Sequence, residues 1–250
     1  MKTRKELSHI TKRQIIRKSL YVISFLTFSL TAFYFSPFFI VLGAMEGIIG
    51  GSLIIFSVMF VLSIFFGRII CGYACPVGGV QECLMLANNE SAKGGWRNFI
   101  KYFIWTPWVI VIIMLFIYAG GVSDVVFNIH FSLSIEPNRL FIMYVAVLLF
   151  VVITAMVMGK RAFCHYICWM APFMVIGSKI SDGLKLPKLR LMSNKEHCAG
   201  CSRCSNKCPM SLDVKEMIEN DHLKNVECIL CGECIDTCPK KAISYSIKRS

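Results

Sequence analysis

The chain has 250 residues and is strongly apolar: 56% are hydrophobic, 17% are charged, and the mean hydropathy is +0.61. Soluble domains carry about 25% charged residues, so the composition excludes an ordinary soluble protein and predicts a membrane protein. The formal net charge of +12 requires no nucleic-acid partner, because basic residues beside membrane spans and attraction to anionic lipid headgroups account for it. A dedicated docking surface for an acidic partner is the weaker alternative.

Four apolar runs are long enough to cross a bilayer, whose hydrocarbon core of about 30 Å takes roughly 20 helical residues. They cover residues 21–42, 48–66, 103–122 and 140–158. Pro37 lies inside the first run, where a membrane helix tolerates it as a kink. The first run is too long for a cleaved signal peptide, so we expect it to be retained.

The distribution of Lys and Arg predicts the orientation of these runs. Seven of the 27 basic residues lie in residues 1–20, four between the second and third runs, fifteen from Lys160 onward, and one, Arg139, between the third and fourth runs. Cytoplasmic loops are enriched in Lys and Arg, which puts both termini on the cytoplasmic side of the inner membrane. The predicted organisation is a basic cytoplasmic segment (1–20), a transmembrane core of four helices (21–183) and a cytoplasmic module (184–250).

All thirteen cysteines lie at or beyond cytoplasmic helix ends in this topology. Disulfides are disfavoured in that compartment, so the cysteines indicate metal binding. The segments CAGCSRCSNKCP and CILCGECIDTCP each have the spacing C-x2-C-x2-C-x3-C-P, which is typical of bacterial ferredoxins with two [4Fe-4S] clusters. In this arrangement the fourth cysteine of each motif binds the other cluster.

The predicted ligand sets follow from that exchange. Cluster 1 has Cys198, Cys201, Cys204 and Cys238, and cluster 2 has Cys228, Cys231, Cys234 and Cys208. Two four-cysteine zinc sites are the alternative, but zinc sites do not need the third cysteine or the repeated Cys-Pro end. We expect a short helix between the motifs and a strand over KAISYSI, which makes the tail a small α+β module held together by its clusters.

A second pattern occurs at the ends of two apolar runs. Cys71 and Cys75 follow the second run in CGYAC, and Cys164 and Cys168 follow the fourth run in CHYIC. A spacing of four places both thiols of a pair on one helix face, and the two halves of the core form an internal repeat of helix pairs. Packing about a pseudo-twofold axis would bring the four thiols to a third redox or metal site near the membrane surface. A redox-active dithiol and simple packing of small side chains remain alternatives.

Together, these motifs resemble the NapH/NosR-type membrane polyferredoxins. Both motifs of that family usually read C-x3-C-P; here Pro76 follows Cys75, whereas WMAP follows Cys168 and moves the proline to Pro172. The resemblance implies a protein that relays electrons between a quinol pool or a cytoplasmic donor and a partner at or across the membrane. It covers nearly the whole chain.

The sequence lacks other redox motifs. It has no C-x-x-C-H for covalent haem, no histidine pair within the apolar runs, and no dinucleotide-binding G-x-G-x-x-G after a strand. Electrons must therefore come from and go to other molecules. In the outer loop, Asp124, His130 and Glu136 are candidate proton acceptors for a quinol, although an ordinary solvated loop is the favoured interpretation.

The favoured function is a membrane-anchored iron–sulfur electron-transfer subunit with no catalytic residues assigned, in a quinol dehydrogenase or another oxidoreductase complex. Its expected partners are a quinone or a ferredoxin-like cytoplasmic donor, and a protein that carries flavin, haem or molybdenum. The alternative is a membrane protein of regulation or assembly whose clusters sense oxygen or redox state. No separate output domain is visible to support that alternative.

Overall fold

The computed structural model describes residues 11–27, 34–126, 137–221 and 223–248. Its larger part is a helical core that runs to residue 183. The α-helices of the core are α1 Lys12–Leu26, α2 Pro37–Met45, α3 Gly51–Phe66, α4 Ile69–Tyr73, α5 Pro76–Leu84, α6 Ile100–Tyr118, α7 Pro137–Met158, α8 Ala162–Tyr166 and α9 Met170–Gly183. Two short parallel strands, β1 Ile48–Gly50 and β2 Asp124–Val126, pair at one end of the core.

The C-terminal module is built on a two-stranded antiparallel sheet. Its strands are β3 Lys188–Ser193 and β4 Ile243–Lys248, and its short helices are α10 Arg203–Asn206, α11 Val214–Glu219 and α12 Glu233–Thr237. The predicted helix between the cysteine motifs is confirmed as α11, whose N-terminal N–H of Glu216 is capped by the Asp213 carboxylate at 3.1 Å. The predicted strand over KAISYSI is confirmed as β4.

The first apolar run is not one helix, and the prediction of a continuous helix over residues 21–42 is wrong. Helix α1 starts inside the basic N-terminal segment and ends at Leu26. Ser36 is extended, and α2 begins at Pro37, which occupies the first turn of the new helix. Proline disfavours a helical residue before it and needs no N–H in the first turn. Pro37 therefore starts a helix here.

One helix in the described residues, Gly95–Tyr118, is long and apolar enough to cross a membrane. It consists of a 3-10 turn, Gly95–Phe99, followed by α6. Shorter apolar helices cover Gly51–Phe66 and Tyr144–Met158. The prediction of four transmembrane helices is therefore not confirmed by the helix lengths, although the helical fold and the α+β tail agree with it.

The two halves of the core pack against each other in an exchanged way. Helix α3 of the first half packs on α9 of the second, and α5 of the first half packs on α7 of the second. In the first pair, Gly177 lies directly against Ser63 and the carbonyl of Phe60, so that a side chain at residue 177 would overlap both. Arg161, which follows α7, donates to the carbonyl of Cys71 at 3.1 Å, so the two thiol motifs begin close together.

The C-terminal module sits on the thiol motifs of the core. Gly72, inside CGYAC, lies against the carbonyl oxygen of Ile229, and an added Cβ would overlap that oxygen. His165, inside CHYIC, contacts the carbonyl oxygen of Met210 through Nε2 at 3.0 Å. In each half of the repeat, the residue directly after the first cysteine of the motif therefore contacts the module.

Replacement of Gly72 by alanine tests this junction. We expect Gly72→Ala to destabilise the docked module by about 1–3 kcal/mol, the usual effect of overpacking, and to speed tryptic cleavage between the core and the module. Gly183→Ala is the matched control, because no atom lies within 4 Å of an added Cβ there. Equal cleavage rates for the two variants, measured by limited proteolysis under anaerobic conditions, would contradict the junction.

Candidate functional site

Two cavities in the C-terminal module are each lined by four cysteines. The cluster 1 cavity is lined by Cys198, Cys201, Cys204 and Cys238, and the cluster 2 cavity by Cys208, Cys228, Cys231 and Cys234. Each set combines three cysteines of one motif with the fourth cysteine of the other, which is the exchange that the ferredoxin spacing predicts. The structure brings together the predicted sets of thiols, and their role as cluster ligands remains a prediction.

Backbone N–H groups around these cysteines lie close to the thiol sulfurs. Gly232, between Cys231 and Cys234, has a φ of +73°, a conformation that glycine adopts without steric cost. The N–H of Ala242 donates to Sγ of Cys238 at 3.3 Å, and the N–H of Glu233 donates to the thiol of Cys231. Such N–H groups stabilise the negative charge of a thiolate.

The chemistry of this donor set fits iron–sulfur clusters. Burial raises the pKa of the Cys231 thiol to about 12 and that of Cys228 to about 11, so these thiols would be neutral at pH 7 without a cation beside them. In the described residues, no group of three or more His, Cys, Asp or Glu side chains is arranged to hold a single metal ion. A zinc ion would draw all four sulfurs to about 2.3 Å from one point, whereas a cluster spreads its four thiolates over several irons.

The two thiol motifs of the core have the same local structure. In each motif the first cysteine lies in a short helix and the second lies just beyond it: Cys71 in α4, Cys75 before α5, Cys164 in α8, and Cys168 before α9. The N–H of Cys75 donates to the carbonyl of Ile70 at 3.0 Å, and the N–H of Cys168 donates to that of Phe163 at 2.9 Å. This bond across five residues closes the helix between the paired cysteines. The expectation that each pair shares one helix face is therefore wrong.

The displaced proline of the second motif leaves this geometry unchanged. Pro76 is the first residue of α5, and Pro172 is the third residue of α9. Both prolines lie in the first turn of a helix, where the missing N–H removes no helical hydrogen bond. The departure from C-x3-C-P therefore moves the proline within one helical turn.

The four core thiols line a single cavity of ≈ 460 Å³, which we call the thiol cavity. Its other walls are mostly apolar and include Phe35, Phe38, Phe163, Trp169 and Met170. Two of the thiols have close side-chain neighbours: Gln81 Nε2 lies 3.1 Å from Sγ of Cys164, and Sγ of Cys71 lies 3.3 Å from Sδ of Met174. The structure thus brings together the four cysteines predicted to form a third site, and that role remains a proposal.

Glu82 forms an ion network with two buried arginines, and this network lies next to the thiol cavity. Its carboxylate accepts hydrogen bonds from Arg161 Nη2 at 2.6 Å and from Arg17 Nη1 at 3.0 Å. Arg161 also donates to the carbonyl of Cys71 at 3.1 Å. Burial opposes ionisation of Glu82, but the two guanidinium groups outweigh it and hold its pKa below the usual range. The network therefore links α1, α5 and both thiol motifs.

Glu227 forms the second buried network, at the junction with the module. It accepts hydrogen bonds from Arg68 Nη1 at 2.7 Å and from Lys101 Nζ at 2.5 Å. Arg68 and Lys101 are 2% and 0% exposed. Arg68 and Arg161 each lie three residues before the first cysteine of a motif, so each half of the repeat places a buried arginine beside the thiol cavity.

The N-terminal helix α1 also contacts the cluster 2 cavity. Gln14 Nε2 donates to the carbonyl of Cys231 at 3.2 Å and to the Asp236 carboxylate at 2.6 Å. Arg17 donates to Glu233 at 3.2 Å. The basic residues of this segment predict only that it lies on the cytoplasmic side. Gln14, Arg17 and Tyr21 are spaced three and four residues apart. This spacing could have indicated that they share one packed face of helix α1.

His165 connects the thiol cavity to the cluster 2 loop. It is 2% exposed, and its two ring nitrogens lie 3.1 Å from Asn98 Oδ1 and 3.0 Å from the carbonyl oxygen of Met210. Burial lowers the pKa of His165 to about 4, so the ring is neutral at pH 7. One ring N–H then donates to Met210, two residues after Cys208.

Several other residues lie outside these sites. Tyr166, inside CHYIC, is buried and donates to the carbonyl of Lys93 at 2.6 Å. Cys83, which belongs to neither thiol motif, is exposed. Asp124 lies in β2, whereas His130 and Glu136, the other candidate proton acceptors, fall outside the described residues.

Comparison with known families agrees with these sites. The model of a 4Fe-4S binding domain matches the chain twice, over residues 48–90 and 140–187, and that of a 4Fe-4S dicluster domain matches residues 197–243. The double match agrees with the predicted internal repeat, and each copy contains one thiol motif. The chain therefore contains 4Fe-4S ferredoxin-type domains.

The chain is also similar to individual proteins over most of its length. The chain is 27% identical to the uncharacterized protein MJ0749 of Methanocaldococcus jannaschii, over 95% of the chain and 89% of the relative. It is 20% identical to YccM of Escherichia coli, whose name assigns it provisionally to electron transport, over 84% and 60%. It is 22% identical to the ferredoxin-type protein NapH of Haemophilus influenzae, over 72% and 63%. No solved structure matches.

These matches support a NapH-type 4Fe-4S ferredoxin-like protein, which agrees with the resemblance seen in the sequence. The chain spans less than two thirds of YccM and of NapH. An iron–sulfur electron-transfer role follows from the two domain models and the names of these relatives.

Loss of the Glu82 carboxylate tests the first ion network. Glu82→Gln leaves Arg17 and Arg161 buried without their shared anion, and breaking a buried pair typically destabilises by about 3–5 kcal/mol. We expect a clear fall in the Tm measured in detergent by loss of cluster absorbance. Glu219→Gln is the control, because Glu219 is exposed and pairs with Lys215 only at 3.6 Å. A Glu82→Gln variant as stable as the control would contradict the network.

Proposed function

We propose that this chain is a membrane-anchored electron-transfer subunit. It relays electrons between a quinol pool or a cytoplasmic donor and a redox partner at or across the membrane. The observation that carries the proposal is the contact of both thiol motifs with the loops of cluster 2, through Gly72 with Ile229 and His165 with Met210. The proposed relay therefore joins the two ferredoxin sites to the thiol cavity.

Exposed apolar side chains support membrane insertion. Phe103 and Tyr118 at the two ends of α6 are 85% and 91% exposed, and Val157 near the end of α7 is 75% exposed. Contiguous apolar surface of this kind is typical of a lipid or partner contact. Together with the four apolar runs and the distribution of Lys and Arg, it supports several membrane passes with both termini in the cytoplasm.

Electrostatics support a third iron–sulfur centre in the thiol cavity. Arg17, Arg68, Lys101 and Arg161 are each at most 2% exposed. Of the carboxylates that pair with them, Glu227 is buried, and the side chains of Glu82 and Glu233 are 14% and 24% exposed. Buried charge must be neutralised nearby. A [4Fe-4S] cluster with four thiolates carries a net charge of about −2 in its oxidised state, which fits this excess of positive charge.

The arrangement gives the two ferredoxin clusters different positions in the relay. Cluster 2 lies against the core, where Arg68 donates to the carbonyl of Val226 at 3.3 Å and Gln14 to that of Cys231. Cys201 of cluster 1 is exposed, which gives a soluble donor access to this site. In the proposed route, electrons that enter at cluster 1 pass through cluster 2 before they reach the thiol cavity, or travel in reverse.

The thiol cavity also suits a quinone ring beside the third centre. Its volume falls in the range of small-molecule sites, and its walls carry several aromatic rings. A quinol supplies two electrons and releases two protons when it is oxidised. The residues of this chain contribute an apolar wall that excludes water and a set of thiols at its end.

The iron content of the protein tests the third centre. Protein purified without oxygen is expected to contain about twelve irons and twelve acid-labile sulfides per chain, four of each per cubane. The Cys71→Ser, Cys164→Ser double variant is expected to fall to about eight of each. Cys83→Ser, which changes an exposed thiol, is the control and keeps the full content. About eight irons in the unchanged protein would contradict a third [4Fe-4S] centre and favour a dithiol.

Electron exchange in liposomes tests the relay itself. The reduced protein is expected to transfer electrons to a menaquinone analogue, with reversible bleaching of the clusters. Cys201→Ser is expected to lose cluster 1 and, with it, turnover that starts from a soluble protein donor. Absence of quinone reduction, together with irreversible cluster loss at low oxygen, would contradict the relay and favour an oxygen sensor.

A further inference from the structure

We propose that the exposed side of cluster 1 is the docking surface for a soluble, acidic, one-electron carrier protein. This surface, called the cluster 1 rim, consists of Cys201, Arg203, Lys215 and Lys240. The proposal builds on the electron relay above and specifies the partner and its site of entry. In the transfer step no bond forms or breaks: the carrier loses one electron as cluster 1 gains it, or the reverse.

Exposure distinguishes the two ferredoxin sites. Cys201 of cluster 1 is exposed, and Cys198 and Cys238 are partly exposed. An added Cβ at Gly200 would meet no atom within 4 Å, so the loop that carries Cys201 borders open space. In the cluster 2 set, by contrast, Cys208, Cys231 and Cys234 are buried. A protein partner can therefore approach cluster 1 closely and cluster 2 only through the rest of the chain.

The charges around cluster 1 have one sign. The charged residues that line its cavity are Arg203, Lys215 and Lys240, all of them basic. In the described part of the chain, Arg203 and Lys240 form no ion pair, and Lys215 has only a long contact with Glu219 at 3.6 Å. Glu196 and Glu216 lie near in sequence but do not line the cavity. Unpaired charge beside a redox centre favours a partner of opposite sign.

The basic residues on the core side of the module are used differently. Arg17 and Arg68 are paired with carboxylates of this chain and are at most 2% exposed. They hold the module on the core, whereas the basic residues of the cluster 1 rim remain open to solvent. The contacts of Gly72 and His165 hold the cluster 2 loops against the core, whereas Arg203 and Lys240 of the rim are exposed. Exposed basic charge beside an exposed cysteine favours a soluble acidic protein as the occupant of the rim.

Stopped-flow reduction under anaerobic conditions tests the proposal. The probe is an acidic flavodoxin in its hydroquinone form, mixed with the full-length protein in nanodiscs. The Arg203→Gln, Lys215→Gln, Lys240→Gln variant is expected to slow cluster reduction by about 10- to 1000-fold at low ionic strength, the range of electrostatic steering. It is also expected to lose most of the salt dependence of the rate.

Two controls make the result specific. The Lys12→Gln, Lys18→Gln, Lys185→Gln variant removes the same charge from exposed positions elsewhere and is expected to keep the rate. Reduction of the rim variant by dithionite, followed by oxidation with a menaquinone analogue, is expected to match the unchanged protein. If neither the unchanged protein nor the variants reduced the menaquinone analogue, the electron relay would be refuted. The docking surface would still be tested by the rates of reduction by flavodoxin.

An unchanged flavodoxin rate in the rim variant, or an equal loss in the control variant, would overturn the docking surface. Binding to vesicles of anionic phospholipid is the third measurement. If the rim variant lost vesicle binding and kept its flavodoxin rate, the rim would be a lipid contact, and the proposal would be wrong.

Discussion

The structure depends on two carboxylates that neutralise buried cations from distant parts of the chain. Glu82 joins Arg17 of α1 to Arg161 of the second thiol motif, and Glu227 of the module joins Arg68 of the first motif to Lys101. A cation buried without such a partner is strongly destabilising. The N-terminal helix, the two repeats and the module are therefore held in one arrangement, because each supplies a charge that another part neutralises.

This arrangement explains why the repeat and the module work as one unit. Each repeat brings a helix end, a buried arginine and a thiol pair, and each arginine is paired with a carboxylate outside its own motif. Gly72 and His165 occupy equivalent places, directly after the first cysteine of their motifs, and both contact backbone carbonyls of the cluster 2 loops. The same position of the repeat thus packs against a carbonyl oxygen in one half and hydrogen-bonds to a carbonyl oxygen in the other.

Local spacing made the grouping of the module's cysteines predictable, because the cysteines of a ferredoxin motif follow one another within a few residues and the exchange of the fourth cysteine is a property of the motif. For the core, the sequence predicted the internal repeat of helix pairs but not the local structure of the thiol motifs. Cys71 and Cys75 do not share a helix face because a hydrogen bond to Ile70 ends the helix between them, and Pro37 starts a helix where a kink was expected. The pairing of Arg17 with Glu233 was out of reach, because it joins residues 216 positions apart and no periodic pattern records such contacts.

Burial and charge also divide the redox sites by task. The thiol cavity has mostly apolar walls and one arginine, Arg68, whose carboxylate partner Glu227 keeps it fixed. For the proposed third centre, such fixed surroundings would limit reorganisation on electron transfer. Cluster 1 has the opposite environment, with an exposed cysteine and unpaired basic side chains. A site that must meet a mobile partner requires solvent access, and a site that must exclude water from a membrane-side reaction requires burial. The ferredoxin exchange satisfies both demands in one small module, since it ties an exposed cluster to a buried one through the two loops that end at Cys208 and Cys238.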